Sequence, residues 1–266
     1  MAQSARERAR PALPRVPALA VLAHHLVAYR RTWRAGLLSS FLLPVLTVLG
    51  FGVGVGAYID QGVDGVPYLD WVVPGLVAST AVQTAVSESM WPVFGKFRWA
   101  RTYVAQSAAP LRVGDILGGH LAFVTFRVIT TIAAFLLVTG VFGALRPSWS
   151  AAALPVAALL GLAVAAPTFA YASVVDVDSW LAMLLRFAVL PMTLFAGVFF
   201  PVESLPTALR WLAYATPLWH GVELCRAATL GVAAQWPVAG HLLYLVAWAV
   251  AGWLLARAAF RGRLVV

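Results

Sequence analysis

Few polar residues in this chain could do chemistry. His220, Glu223 and Arg226 recur at three-residue spacing, which places them on one face of a helix. With Glu203 they could form a polar gate, or cap and seal a turn between helices. Arg127 and Glu88 each lie within an apolar run. An arginine well inside a bilayer costs roughly 2.5 kcal/mol or more unless it is paired or reaches water. Glu88 is its candidate partner. The other reading is a span that begins near Leu121, from which Arg127 snorkels to the nearer surface. Both readings stay open. A third group, Phe94, Lys96, Phe97, Arg98 and Arg101, mixes aromatic and basic residues in the manner of a contact surface.

No set has the spacing of a reaction centre. The phosphate-cradling pattern G-x-x-x-x-G-K-[ST] is absent, and Lys96, the single lysine, follows Gly95 without that loop. The chain is therefore not expected to bind ATP. His24 and His25 are adjacent, so they point to different faces and make a poor metal pair. Asp176 and Asp178 read as solvated charges of a tight loop. No H-E-x-x-H or G-x-S-x-G occurs. The G-x-G spacing within Gly50–Gly56 follows no strand and lies in an apolar run, which suits close helix approach rather than a nucleotide loop. Cys225 is the only cysteine, so no intrachain disulfide can form, and it reads as a small apolar packing residue. No catalytic residue, cofactor ligand or metal ligand is expected, and the chain is not expected to be an enzyme.

The elements that position these residues follow from composition. The 266 residues are 62% hydrophobic and 11% charged, far below the roughly one quarter charged of a soluble domain. Uncharged runs of about twenty residues place the chain in a bilayer. The pattern predicts an all-α, polytopic membrane protein. A basic disordered tail covers 1–17, and an amphipathic helix over 18–34 lies on the cytoplasmic membrane surface. Six spans follow at about 36–58, 71–90, 116–142, 151–174, 181–200 and 237–259, with a short tail at 260–266. The basic segment 92–115 reads as an amphipathic helix at the inner surface. An apolar helix is expected to reach Phe199-Phe200 and stop at Pro201. From there to Gly231, two short pieces are punctuated by Pro206 and Pro217. They are too short and too polar to span, and too aromatic for an ordinary loop, so they read as an extracytoplasmic re-entrant helical hairpin.

The net charge of +9 bears on orientation rather than on nucleic acid, which is not an expected partner. Fourteen of the nineteen basic residues fall in the tail and surface helix, the segment after the second span and the C-terminal end. Asp60, Asp64 and Asp70 make the first loop acidic. The positive-inside rule then puts both termini in the cytoplasm, in a multi-pass protein of the cytoplasmic membrane.

Two stretches carry a family resemblance. The first is P-M-x-L-F-x-G-x-F-F-P-x-x-x-L-P from Pro191 to Pro206, then P-L-x-H-x-x-E-L-x-R from Pro217 to Arg226, and Leu230-Gly231. The second is R-T-Y-x-A-x-x-x-A-P-L-R-x-x-D-I-L from Arg101 to Leu117. Together they resemble the ABC-2 type export permeases, most of all the daunorubicin-resistance and nodulation-type subgroup. Ala196 stands where that family often has serine, and His120 where it often has an acidic residue. The resemblance implies the membrane half of an exporter, with ATP and Mg on two copies of a separate ATP-binding subunit and a second permease copy, as a homodimer in lipid. It implies that 92–115 couples to that subunit, with Phe94, Lys96, Phe97, Arg98 and Arg101 as the residues concerned. It implies an outer gate of Phe199, Phe200, Pro201, Glu203, Pro206, Pro217, His220, Glu223 and Arg226. Drugs, antibiotics, lipid-linked molecules or glycolipids are the implied cargo, to which Phe51, Phe195, Phe199, Phe200 and Trp219 would offer an aromatic lining. The alternatives are an intramembrane lipid-modifying enzyme, built on His220, Glu223 and Asp176, and an ATP-independent secondary transporter, which would show internal repeats.

Overall fold

The computed structural model describes residues 16–50, 54, 62–63, 65–141 and 151–264, of which 35–44, 47 and 48 are described as backbone alone. The tail before Val16, Phe51, Asp60, Asp64 and Arg146 lie outside the described residues. Within them the chain is helical, with a single isolated bridge between Val63 and Val66. Among the described residues, four helical stretches are long and apolar enough to cross a membrane: Tyr68–Arg98, Val113–Val141, Ala153–Val174 and Val238–Leu264.

The core is helix α2 (Tyr68–Ser89), buried all round from Trp71 to Val82. A helix apolar on every face belongs in a protein or lipid interior. Around α2 stand α5 (Val113–Val141), α6 (Ala153–Val174) and the Pro217–Leu230 helix, while α11 (Val238–Leu264) packs along α6. Of the most apolar window of α2, 78% is buried in the protein, against 17% for α11. The exposed side of α11 is Leu242, Leu243, Val246, Val250, Leu254 and Leu255, a surface suited to lipid rather than water.

The helices meet at small residues, as expected where lipid removes the hydrophobic drive and close contact must replace it. A Cβ built on Gly252 of α11 would lie 2.4 Å from Pro167 Cδ of α6. One on Gly161 of α6 would lie 3.0 Å from Val128 of α5. Gly119 of α5 lies against Val21 of α1 (Pro17–Val48) and would bring a Cβ within 2.5 Å of its Cβ.

Several elements differ from expectation. The surface helix and the start of the first span are one continuous helix, α1, with no break at Gly36. Its first half packs along α5 through Val21, His25 and Tyr29, so its amphipathic face is spent on protein. The segment 92–115 is not one helix. It divides into α3 (Trp91–Arg98) and α4 (Thr102–Ser107) because Arg101 takes a left-handed conformation, φ 49°. Pro110 follows, and Asp115 reaches back to the Arg112 N–H at 2.9 Å to start α5. The expected fifth span is one continuous but shorter helix, Ser179–Phe195, which runs as α7 (Ser179–Leu184), a π-segment at Leu185–Val189 and α8 (Leu190–Phe195). The helix stops at Phe195, short of Phe199-Phe200, because Gly197 turns left-handed at φ +79°. The last helix continues through the expected tail as far as Leu264.

Candidate functional site

The stretch after Gly197 is two short helices, α9 (Thr207–Tyr214) and α10 (Pro217–Leu230). Pro217 opens α10 at its first turn, the Thr216 hydroxyl accepts from the Trp219 N–H, and Gly231 closes it left-handed at φ +69°. Most of α10 is buried, including Trp219, His220 and Arg226. Gly221 makes that depth possible: its hydrogen faces Leu160 of α6, where a Cβ would come within 2.4 Å of Cδ2.

The face shared by His220, Glu223 and Arg226 meets different partners along its length. Arg226 donates to the Gly197 carbonyl at 2.5 Å, stacks over the Trp71 ring at 3.8 Å and lies 3.5 Å from Glu223. It thereby fixes the left-handed turn of Gly197 against α2, a contact between residues 29 apart that no local pattern announces. Tyr68 adds a bond from its hydroxyl to the Phe199 carbonyl at 3.4 Å.

His220 turns the other way, toward α11. Its Nε2 lies 3.1 Å from the Tyr214 carbonyl and its Nδ1 2.9 Å from Nδ1 of His241. Burial, with His241 beside it, lowers the His220 imidazole to about 4. A neutral ring that donates Nε2–H to a carbonyl has Nδ1 free to accept, so His241 must donate its Nδ1–H. Trp219, Trp236, Tyr214 and Tyr244 pack around the pair. Its surroundings explain why this histidine packs rather than reacts.

Glu203 and Glu223 come together through Gln235. The Gln235 side chain donates to Glu203 at 2.7 Å, and its backbone N–H donates to Glu223 at 2.9 Å. Beneath it is a cavity of about 280 Å³ lined by Trp71, Glu203, Trp219, Glu223 and Arg226. Of the other expected gate residues, Phe199, Pro201 and Pro206 surround the turn into α9, while Pro217 lines a separate apolar cavity of about 330 Å³ with Val189, Met192 and Trp248.

The opposite end of α11 lies about 33 Å away along the helix axis, at roughly 1.5 Å per residue from His241 to Arg263. There Asp176 receives both Arg98 of α3 and Arg263 of α11, the latter at 3.3 Å. The same arginines donate to the carbonyls of Val175 and Val174, so two cations cap the C-terminal end of α6. Asp176 was legible only as a solvated loop charge; its partners are 78 and 87 residues away. Asp176→Asn is expected to remove the ion pair from both arginines at once, leaving each held by its backbone carbonyl. Because the carboxylate is 78% exposed, the loss of stability should stay within about 1 kcal/mol. The visible change should be faster tryptic cleavage at Arg98 and Arg263, with little movement of the unfolding midpoint.

Among the five residues expected to face an ATP-binding subunit, Phe94 and Phe97 point inward. Phe97 packs with Tyr103 and Phe260 at 4.7 and 4.8 Å. Lys96 is half-buried, Arg98 is bound to Asp176, and Arg101 is exposed. Trp99, at 67% exposed, and Val104, at 49%, stand beside Arg101. Sequence reading missed both, although a tryptophan next to a basic residue in a solvent-facing break is the available signal.

Arg127 has more than one partner. Its Nε donates to Glu88 of α2 at 2.9 Å, its Nη1 to the Tyr29 hydroxyl at 2.8 Å, and its guanidinium lies 4.6 Å from the Tyr29 ring centre. One level along α1, the His25 and His120 rings stack at 4.1 Å. Burial pushes the Tyr103 phenol well above its ordinary value, so it stays protonated and bonds to His120 Nδ1 at 2.5 Å.

With this geometry in place, comparison with known proteins gives a consistent result. The family model described as "ABC-2 type transporter" matches residues 18–230. The chain belongs to the ABC-2 type transporter family. This ABC-2 chain is 30% identical over 214 residues to nodulation protein J of Sinorhizobium fredii, covering 80% of each chain. It is 29% identical over 252 residues to nodulation protein J of Rhizobium leguminosarum bv. viciae, covering 93% of this chain and 95% of that one. The nodulation protein J of Rhizobium meliloti is 28% identical over 247 residues. The chain is a multi-pass membrane transport permease, a transporter rather than an enzyme. The ABC-2 match spans both the α3–α4 segment and the α9–α10 pair.

Proposed function

We propose that this chain is the membrane-spanning half of an ABC exporter of amphipathic molecules, drug-like or lipid-linked, worked by two copies of a separate ATP-binding subunit. It acts in the cytoplasmic membrane as a homodimer with both termini inside. The observation that carries the reading is the two-ended build within an ABC-2 chain. At one end α3 and α4 break open to present Trp99, Arg101 and Val104 outward. At the other, α9 and α10 fold back into the protein between α2, α6 and α11. Hydrolysis on the partner subunit pushes on the first end. The Arg98–Asp176–Arg263 contact passes that movement to α6 and α11, and the α9–α10 hairpin re-enters the outer leaflet and closes the exit. The six-span topology is kept, with α1 and the 179–195 segment as the first and fifth spans. The reading as a lipid enzyme is disfavoured by placement, since His220 and Glu223 stand at one end of α11 and Asp176 at the other.

Co-expression and co-purification with a separate ABC ATP-binding protein test the proposal. Arg101→Glu is expected to weaken the complex at least tenfold, and Trp99→Ala similarly. Arg98→Glu should weaken it less, because Arg98 faces Asp176 rather than the partner. Equal retention of all three variants at wild-type affinity would exclude this surface.

A further inference from the structure

The cavity beneath Gln235 holds more acid than base. Glu203 and Glu223 face it, and Arg226 is its one cation among the described residues. That arginine is already engaged by the Gly197 carbonyl, the Trp71 ring and Glu223. What the cavity offers a visitor is therefore carboxylate acceptors beside an apolar edge of Val66 and Leu230. Its volume of about 280 Å³ falls just below the usual range for small-molecule sites, roughly 300–1,000 Å³. That is room for one ring or one small polar headgroup, not for a whole lipid.

Gln235 shows which chemistry fits. It comes from an exposed connection, 231–237, between Gly231 and the start of α11. It spends two donors on the two acids, the side-chain amide on Glu203 and the backbone N–H on Glu223. Hydrogen bonds to a charged acceptor are the strong ones, and a group that replaces them must bring donors of its own. A hydroxylated headgroup or a primary ammonium can do so. A phosphate or sulfate brings only acceptors and meets two carboxylates.

We propose that this cavity receives the donor-bearing headgroup of an amphiphile, hydroxylated or ammonium, and that Gln235 is the group it displaces. The proposal deepens the export reading by naming the class of headgroup at the exit. It is separable from that reading, because binding here is measured on the permease alone, at the end of α11 remote from Arg101.

Cys225 is the only cysteine and is fully buried, so a single exposed label can be placed at Ala233 by Ala233→Cys. With this labelled chain in lipid nanodiscs, an environment-sensitive dye is titrated with octyl glucoside, octylammonium and octyl phosphate, all below micelle concentration. A saturable response to the glucoside, the ammonium or both, with none to the phosphate, is expected; which of them responds identifies the donor. Glu203→Gln, which removes the charge from an exposed side chain at nearly unchanged shape, should raise the midpoint roughly tenfold. Gln235→Ala should lower it. Equal responses to all three headgroups, no response to any, or a midpoint unmoved by Glu203→Gln would overturn the proposal. Co-purification with the ATP-binding protein should survive every one of these variants.

Discussion

Glu88→Ala is expected to destabilise the chain by roughly 3–5 kcal/mol, the usual cost of leaving one member of a buried ion pair without the other. The side chains of Arg127 and Glu88 are 10% and 25% exposed, so water offers the stranded guanidinium little relief. Tyr29 softens the loss without cancelling it: its hydroxyl and ring remain on Arg127, but neither carries charge. Arg127→Lys should be nearly as harmful, since an ammonium cannot serve Glu88 and Tyr29 with one planar fork. The exchange Glu88→Arg with Arg127→Glu rebuilds the ion pair but moves the cation from α5 to α2, away from Tyr29. It should therefore recover part of the stability lost in either single change, not all. Thermal unfolding of the purified variants in detergent measures this series. A Glu88→Ala protein that unfolds with the wild type would show the pair to be incidental.

Gly252→Val should be the other severe change. A Cβ at this position would lie 2.4 Å from Pro167 Cδ and 2.6 Å from Pro167 N. Neither atom belongs to a flexible side-chain end, so the α6–α11 contact itself must open. Overpacking usually costs about 1–3 kcal/mol, and a clash with a proline ring and backbone belongs at or above the top of that range. Gly240, in the same helix, is the control: nothing lies within 4 Å of a Cβ there. Gly240→Ala should be neutral or gain up to about 1 kcal/mol from helix propensity. If the two substitutions shift the unfolding midpoint alike, close packing at Gly252 is not what holds α11 to α6.

The contrast between these glycines shows how far the sequence could be read. Long uncharged runs mark membrane helices because the bilayer demands them residue by residue. The predicted spans at 71–90, 116–142, 151–174 and 237–259 accordingly overlie α2, α5, α6 and α11. Pro217 and Gly231 likewise bracket α10, because proline and glycine act on their own backbone. Whether a given glycine is a contact or a spacer depends on what faces it, and Gly252 and Gly240 look alike in one dimension. Gly197 and Arg101 are harder still. Each takes a left-handed conformation inside a stretch whose apolar spacing reads as continuous helix. Gly197 is held there by Arg226, and Arg101 stands where the chain must turn from α3 into α4.

The site divides the same way. Arg127 announced itself by cost, as a charge in an apolar run, and Glu88 by lying on the neighbouring predicted span. His220, Glu223 and Arg226 were legible as a face but not by partner, since Gln235, His241 and Gly197 reach them across loops. Phe94 and Phe97 were grouped with the basic residues by spacing. Only the break at Arg101 shows that the aromatic face turns inward while Trp99 and Arg101 turn out.

The central claim, that hydrolysis on a partner drives this chain through its α3–α4 surface, is tested most directly by ATP turnover of the reconstituted complex in lipid. The wild-type pair should hydrolyse ATP several-fold faster than the ATP-binding protein alone. Arg101→Glu should return that rate to the level of the isolated subunit, while Gly240→Ala, at the far end of the bundle with nothing within 4 Å of the added Cβ, leaves it in place. A stable complex whose turnover is the same with wild type, with Arg101→Glu and without the permease would contradict the account.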